Sequence, residues 1–331
     1  MSKTILITGA AGFIGMSLAR QLLDAGHTII GLDNMNDYYD TNLKHARLKV
    51  LEKEGGNNFT FYKADFADRE ALLAITRKHT PGLIVHLGAQ AGVRYGLLNQ
   101  DAYLQSNLIG HFNILMAAKE LHEQKHLTQL LYASSSSVYG HISKEGSCAE
   151  DADTSKPVSL YAATKVADEA LSHAWQTQFG ISCTGLRFFT VYGPWGRPDM
   201  TPLMFTEKIM NGDKIPLFNS GDLWRDFTYI DDIVKGITGL IARGPQPTPE
   251  VFNLGNQNPV QMTDFVQTLA SVLGKEAFID NQPWPPTEVY RTSANTEKLK
   301  AAIGWAPATP LAEGLKNMAT WYQTYKTGTP A

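Results

Sequence analysis

The residues best suited to chemistry in this sequence are a tyrosine and a lysine four positions apart, Tyr161 and Lys165. Positions four apart lie on one face of a helix, so the two side chains are predicted to be neighbours. An ammonium held beside a phenol favours the phenolate, which is a base that can take a proton from an alcohol. A second pair with this spacing, Tyr322 and Lys326, occurs near the end of the chain, so spacing alone does not identify the site.

A run of serines upstream favours the first pair. Ser134, Ser135, Ser136 and Ser137 follow an apolar segment that is typical of a β-strand. Ligands of α/β proteins bind at the carboxyl ends of such strands. No similar run precedes Tyr322 in the sequence, and we interpret that pair as an ordinary feature of an exposed terminal helix.

A glycine-rich turn near the start predicts a dinucleotide cofactor. Gly9, Gly12 and Gly15 follow an apolar strand and open a helix that begins with Phe13 and Ile14. The glycines permit a tight turn and a close approach of the backbone, and the free amides of a helix N-terminus suit a pyrophosphate. We therefore predict that this turn, with Phe13 and Ile14, binds the cofactor phosphates.

The acid at the end of the second strand, Asp33, suits the ribose hydroxyls of NAD and repels the extra phosphate of NADP. No arginine stands directly beside it in the sequence, so the prediction is NAD. For Asp65, contact with the adenine and an N-cap of the helix beginning at Arg69 are equal alternatives. The further predicted cofactor contacts are Asn34, Asp65, Phe66, Leu87, Ala89, Phe188, Tyr161 and Lys165.

Short apolar runs that alternate with amphipathic stretches predict the fold class. They indicate an α/β protein, a Rossmann-type doubly wound parallel sheet with a smaller C-terminal substrate lobe. The predicted strands are residues 5–7, 28–32, 59–62, 83–85, 130–132, 184–189 and 251–254. We predict an NAD-binding domain of residues 1–189 plus about 228–258, and a substrate-binding lobe of residues 190–227 and 259–331.

Composition excludes several classes of function. The 331 residues carry a formal charge of −3 without a dense Lys/Arg run, which argues against nucleic-acid binding. The two cysteines lack metal-ligand spacing, and no apolar run reaches membrane-spanning length. We expect a cytoplasmic protein without a membrane partner or a metal.

One motif argues for a metal. His122, Glu123 and His126 fit the H-E-x-x-H pattern of zinc proteases. The pattern binds zinc only when it is buried in a cleft with a third ligand downstream. Here it ends a predicted helix among charged residues, so we interpret it as a solvated helix end.

Taken in order, the glycine turn, the acid, the serine run and the Tyr-x-x-x-Lys pair resemble the extended short-chain dehydrogenase/reductase superfamily, and within it the nucleotide-sugar 4-epimerases. Residues 32–48, 90–95, 186–200 and 225–232 resemble the UDP-glucuronate 4-epimerases in particular. The superfamily's 4,6-dehydratases place an Asp-Glu pair directly after the catalytic residue, where this chain has Ser136 and Ser137. The resemblance therefore implies epimerisation rather than elimination.

The resemblance also implies residue roles. It gives the catalytic role to Ser135, Tyr161 and Lys165. For Arg197 and Arg225, pairing with the neighbouring acids Asp199 and Asp226 is the alternative. The substrate contacts that it implies are Arg94, Ser135, Ser136, Ser137, Thr190, Arg197, Phe218, Arg225 and Glu288.

The implied activity is NAD-dependent interconversion of UDP-glucuronate and UDP-galacturonate through a 4-keto intermediate. The alternatives are another UDP-hexose or UDP-N-acetylhexosamine 4-epimerase, and a net NAD-dependent dehydrogenase or reductase acting on a nucleotide sugar. Residues 285–289 depart from the Gly-Asp-Val that is usual in the family, which puts the phosphate contact there in question. A homodimer formed by helices at about 102–119 and 161–178 is also implied.

Overall fold

In the computed structural model, which describes residues 2–141, 146–285 and 289–328, the chain forms two compact units. The first unit consists of Met1–Gly140, Asp153–Arg187 and Ile237–Phe252. The second consists of His141–Ala152, Phe188–Gly236 and Asn253–Ala331. Each unit therefore contains several separate stretches of the sequence.

The main sheet has seven strands in the order β11-β6-β5-β4-β1-β2-β3, and the pairings from β5 to β3 are parallel. All seven strands were predicted from apolar runs, and the fold class is confirmed. The order reverses between β1 and β4, which is where α/β sheets bind ligands. These strands are β1 Thr4–Thr8, β2 Thr28–Asp33, β3 Phe59–Lys63, β4 Leu83–His86, β5 Gln129–Ser135, β6 Cys183–Phe188 and β11 Glu250–Leu254.

Eleven helices accompany the strands in the described residues, and four of them begin at a residue whose side chain caps the first turn. Asp40, Asp68 and Ser159 each accept a hydrogen bond from an amide in the first turn of α2, α3 and α6. The helices are α1 Phe13–Asp24, α2 Thr41–Gly55, α3 Arg69–His79, α4 Gln100–Tyr103, α5 His111–Glu123, α6 Leu160–Phe179, α7 Thr201–Asn211, α8 Ile230–Arg243, α9 Met262–Leu273, α10 Glu297–Ile303 and α11 Leu311–Thr327.

The helix predicted at about 102–119 is not continuous. A π-helical segment, Leu104–Gly110, separates α4 from α5. Gly110 faces the ring of Phe66, and a Cβ at that position would lie 2.4 Å from a ring carbon. A π segment changes which residues of a helix face its neighbours, and an apolar pattern does not reveal such a change.

The second unit is held partly by short two-stranded sheets. One acid organises several of its loops, because Asp226 is fully buried and accepts hydrogen bonds from three backbone amides and one hydroxyl. Burial raises the pKa of this carboxyl. The sheets pair β7 Thr190–Tyr192 with β10 Phe227–Tyr229, β8 Ile215–Phe218 with β13 Ile279–Gln282, and β9 Trp224–Arg225 with β12 Val260–Gln261.

Across the part of the chain that the structure describes, no helix has both the length and the apolar character needed to span a bilayer.

Candidate active site

The turn between β1 and α1 requires glycine at positions 9 and 15. Gly9 has a φ of +71°, and its amide donates to the carbonyl of Leu32 at 2.8 Å. A Cβ on Gly15 would lie 2.1 Å from the carbonyl oxygen of Gly9, and a Cβ on Gly9 would lie 2.8 Å from the amide nitrogen of Gly88. The turn therefore brings the backbone ends of β1 and β4 together at the point where the strand order reverses.

The first turn of α1 offers its amides to a ligand. Its N-cap residue is Gly12, which forms no side-chain cap, and Phe13 follows it as a buried residue. Uncapped amides and the positive end of the helix dipole attract a phosphate. The tight glycine turn and this helix end together fit the pyrophosphate of a dinucleotide.

The acid expected to bind ribose lies where the sequence predicts it, at the end of β2. Asp33 is 7% exposed, and its Oδ1 accepts from the amide of Met35 at 2.9 Å. Next to it, the side-chain amide of Asn34 donates a hydrogen bond to Oδ2 of Asp65 at 3.0 Å. The N-cap of α3 is Asp68, not Asp65, so the alternative assignment of Asp65 as that cap is wrong. Asp65 instead accepts from the amide of Ala67.

The remaining predicted cofactor residues lie near the same sheet edge or on the adjoining strands. Phe66 is buried against His86, with ring centroids 5.1 Å apart. Leu87 directly follows β4, and its amide donates to the carbonyl of Thr8 at 3.2 Å. Ala89 is half-buried two residues further on. Phe188 is the last residue of β6 and is 9% exposed.

Sequence reasoning missed two cations on α2. Lys44 Nζ lies 3.8 Å from Oδ1 of Asp33, and the guanidinium of Arg47 donates to the carbonyl of Ala11 in the glycine turn at 3.0 Å. Both side chains are buried, in the same stripe of α2 as Leu43, Leu48 and Leu51. A lysine and an arginine inside an apolar stripe were the available signal, since charged residues are rarely buried without a partner.

Tyr161 and Lys165 lie on α6, as predicted. The amide of Ala162 is capped by the hydroxyl of Ser159 at 3.1 Å, which begins the helix one residue before Tyr161. Lys165 is 2% exposed, and its ammonium donates to the carbonyl of Ala133 on β5 at 2.9 Å. Because Lys165 lies four residues after Tyr161, its ammonium is on the same face of the helix as Tyr161. There it can stabilise a phenolate.

The serine run begins as the last residues of β5 and continues in a 3₁₀ turn, Ser136–Tyr139. The hydroxyl of Ser135 accepts from the amide of Ser137 and donates to its hydroxyl, both at 3.1 Å. Ser134 instead donates to Glu169 at 2.5 Å. Ser135 therefore forms its hydrogen bonds within the turn at the end of β5, whereas Ser134 connects β5 to α6.

A buried ion pair supports this turn. Glu169 on α6 accepts two hydrogen bonds from Arg187 on β6, each 2.8 Å long. Arg187 also donates to the hydroxyl of Tyr139 at 2.9 Å. The pair thus holds both ends of the serine turn, at Ser134 and at Tyr139, and gives the turn a fixed conformation.

The substrate residues predicted in the second unit occupy strand ends and loops. Thr190 begins β7, where its amide donates to the carbonyl of Asp226, and Phe218 ends β8. Arg197 forms an ion pair with Asp199, as the alternative interpretation expected. Arg225 donates to the carbonyl of Trp224 at 2.8 Å.

Two predicted residues have a different status. Arg94 lies in the first unit, exposed at the start of the 3₁₀ turn Tyr95–Leu97. Glu288 lies outside the described residues, so the structure does not bear on its role.

The H-E-x-x-H motif does not form a zinc-protease helix. Helix α5 ends at Glu123, and Lys125 has a φ of +62°. The two histidines of the motif are thus separated by a helix end rather than placed one turn apart. Within residues 2–141, 146–285 and 289–328, no group of three or more His, Cys, Asp or Glu side chains is placed to hold a metal ion.

Comparison with known proteins assigns the family. The sequence matches the NAD dependent epimerase/dehydratase family over residues 5–255. UDP-glucuronate 4-epimerase 4 of Arabidopsis thaliana is 42% identical over 341 residues, which cover 98% of this chain and 76% of that protein. Protein CapI of Staphylococcus aureus is 42% identical over 338 residues, which cover 97% of this chain and 98% of that protein.

A solved structure agrees with these relatives. UDP-glucuronic acid 4-epimerase from Bacillus cereus, crystallised with UDP-glucuronic acid and NAD, superimposes with a TM-score of 0.89 at 30% identity. The superposition covers 97% of this chain and 99% of that chain. The chain therefore belongs to the NAD dependent epimerase/dehydratase family, as its glycine turn and its Tyr-x-x-x-Lys pair predicted.

Proposed function

We propose that this chain is an NAD-dependent 4-epimerase that interconverts UDP-glucuronate and UDP-galacturonate. The observation that carries the proposal is the buried ammonium of Lys165 on the helix face that carries Tyr161. The uronate is supported by the relatives, because the Arabidopsis protein and the Bacillus cereus structure are both named for epimerisation at C4 of UDP-glucuronate.

In the proposed reaction Tyr161 takes the proton of the sugar 4-hydroxyl. Lys165, held by the carbonyl of Ala133, stabilises the phenolate that accepts this proton. The hydroxyl of Ser135, fixed by the amide of Ser137, steadies the same proton during transfer. NAD, when bound, supplies the acceptor for the C4 hydride and the donor for its return. The residues that would hold NAD are those of the glycine turn and Asp33.

Inversion requires the intermediate to change its orientation. The 4-keto sugar turns about its diphosphate linkage and presents its other face, and Tyr161 then returns the proton to the new hydroxyl. The configuration at C4 is inverted while the overall oxidation state is unchanged. Elimination of water, the reaction of dehydratases, requires an additional acid and base, and this chain has Ser136 and Ser137 in those positions.

We assign the substrate's charges to two kinds of residue. The hydroxyls of Ser135, Ser136, Ser137 and Thr190 suit the uronate carboxylate, because they bond it without a salt bridge that would hinder rotation. Arginine suits the diphosphate, which we assign to Arg225. The further proposed contacts are Arg94, Arg197 and Phe218.

The same proposal divides the chain by ligand. We assign NAD binding to residues 1–189 with about 228–258, and UDP-sugar binding to residues 190–227 and 259–331. The division is supported by the location of the glycine turn and Asp33 in the first of these parts.

We also propose that the protein is a homodimer. Leu104 and Ile109 are 42% and 44% exposed in the helical segment that the family resemblance assigns to the dimer contact. Exposed apolar side chains on adjacent turns favour association with a like surface. Light scattering at micromolar concentration is expected to give twice the chain mass of 36.4 kDa, and a stable monomer would exclude the dimer.

The proposed function is tested by incubating the purified protein with UDP-glucuronate and separating UDP-sugars by anion-exchange chromatography. The expected result is UDP-galacturonate, approaching an equilibrium from either sugar, without net formation of NADH. Accumulation of NADH in proportion to product would instead identify a dehydrogenase. Conversion of UDP-glucose alone would retain the epimerase and reject the uronate.

A further inference from the structure

The catalytic lysine forms a buried ion pair with an acid of its own helix. Asp168 lies three residues after Lys165 on α6, and its Oδ2 is 3.0 Å from the ammonium nitrogen. The Asp168 side chain is 0% exposed and that of Lys165 is 2% exposed. Ion pairs in such surroundings are weakly screened, so the acid has a strong influence on the charge of the lysine.

Three of the titratable groups around this pair are neutral. His86 on β4 and His111 on α5 have pKa values lowered by burial, so both are neutral at physiological pH. Burial raises the pKa of Tyr132 on β5, which is therefore a neutral phenol.

The charged neighbours on the remaining elements are Glu169 and Arg187, which bind each other. Among the described residues, Asp168 is the only acid that forms an ion pair with Lys165. Its other oxygen, Oδ1, has no hydrogen-bond partner in the described structure. The hydrogen bond that this carboxylate forms in the described structure is therefore the one to Lys165.

The location of one proton decides whether Tyr161 can act as a base. After one proton has left Tyr161 and Lys165, the remaining proton lies either on the amine, with a phenolate, or on the phenol, with a neutral amine. Only the first arrangement can accept the proton of an alcohol.

Position along α6 determines which arrangement Asp168 favours. A helix rises about 1.5 Å per residue, so Asp168 lies about one turn from Lys165 and about two turns from Tyr161. Its negative charge stabilises the nearby ammonium more than it opposes the more distant phenolate. We propose that Asp168 is a positioning residue that keeps the shared proton on Lys165 and thereby leaves the negative charge on Tyr161. This inference rests on the proposed role of Tyr161 as the base.

Replacement of Asp168 by Asn tests the proposal through two effects, one on the pH dependence of the rate and one on the maximal rate. Removal of a negative charge makes the first proton leave more easily, so the acidic limb of the pH–rate profile is expected to shift to lower pH by about one unit. The remaining proton now favours the phenol, so the maximal rate is expected to fall by about tenfold. A residue with a purely structural role would lower the rate without shifting the limb.

A spectroscopic measurement makes the test independent of substrate. Tyrosinate absorbs in the near ultraviolet, and the chain has 13 tyrosines, so the Tyr161 signal is obtained by subtracting the Tyr161→Phe variant in each background. At neutral pH the Tyr161 tyrosinate signal is expected to be smaller in Asp168→Asn than in the unsubstituted protein. Asp168→Ser, which removes the charge without adding an amide, is the second variant if Asn prevents folding.

Glu207→Gln is the matched control, because Glu207 pairs with Lys326 in the other Tyr-x-x-x-Lys pair. It is expected to change neither the pH limb nor the Tyr161 signal. An unchanged limb and an unchanged tyrosinate signal in folded Asp168→Asn or Asp168→Ser would overturn the inference. That outcome with intact epimerisation would reject only the role of Asp168, whereas absence of epimerisation in the unsubstituted protein would reject the proposed function itself.

Discussion

Two helices of this protein carry the same Tyr-x-x-x-Lys spacing in different surroundings. On α6 the lysine Lys165 is 2% exposed and pairs with a fully buried acid at 3.0 Å. On α11 the lysine Lys326 is 51% exposed and pairs with Glu207, 43% exposed, at 2.8 Å. The two ion pairs differ little in length, so the distance between the charges does not distinguish them.

The difference lies in what surrounds each charge. Water and salt screen the exposed pair, so its ammonium has little effect on a neighbouring phenol. Burial raises the pKa of Tyr322, and Lys326 lies over the face of its ring at 5.6 Å from the centroid. The two pairs share their spacing and differ in the burial of the lysine and in the position of α6 beside strand β5. These two features are the reason for proposing Tyr161, and not Tyr322, as the base.

The largest expected effect separates the two tyrosines directly. Tyr161→Phe removes the proton acceptor, and turnover is expected to fall by roughly a hundredfold to ten-thousandfold. Tyr322→Phe changes the same atoms in the other pair and is expected to leave turnover nearly unchanged. Steady-state rates of both variants, with bound NAD measured in each, decide the matter. Similar losses of turnover in the two variants would show that the two Tyr-x-x-x-Lys pairs do not differ in function.

A smaller effect is expected from an acid that has an architectural role. Oδ1 of Asp226 accepts from the amide of Asn256 at 2.7 Å, and Oδ2 accepts from the amide of Ala294 at 2.9 Å. Asp226→Asn replaces one acceptor with a donor among buried donors, so the free energy of unfolding is expected to fall by about 2–4 kcal/mol. Urea unfolding measures this loss, and turnover per folded molecule should be retained. Unchanged stability would show that the hydrogen bonds to both oxygens of Asp226 do not give this acid a structural role.

The smallest effect concerns a third acid–lysine pair, Asp33 with Lys44. Asp33→Ser removes a ribose partner and a repulsive charge while Lys44 stays, so the preference for NAD over NADP is expected to fall by about tenfold. Adding Lys44→Met is expected to reduce the gain in NADP affinity. Equilibrium binding of both dinucleotides provides the measurement. An unchanged ratio in Asp33→Ser would exclude Asp33 from the ribose site.

Much of the fold could be predicted because its signals are local. Each strand of the main sheet is a short apolar run, and the turn at Gly9, Gly12 and Gly15 is a pattern within seven residues. The helix that carries Tyr161 begins at a serine cap, which is also visible in the sequence.

The parts that could not be predicted depend on contacts between distant residues or on local geometry. The partners of the Asp226 carboxylate include amides 30 and 68 residues away. Asp168 stands three residues from Lys165, but only the structure reveals that both are buried. The π-helical segment Leu104–Gly110 changes the helix without changing its apolar composition.

The most direct test of the proposed chemistry is epimerisation of UDP-glucuronate in deuterium oxide, followed by mass spectrometry of the product. The hydride removed from C4 is expected to return to C4 without exchange, while Tyr161 handles only the hydroxyl proton, which exchanges freely with solvent. After return to ordinary water, the UDP-galacturonate should therefore contain no deuterium. A carbon-bound deuterium in the sugar ring would show that a C–H proton is exchanged with solvent and would contradict the proposed role of Tyr161 and NAD.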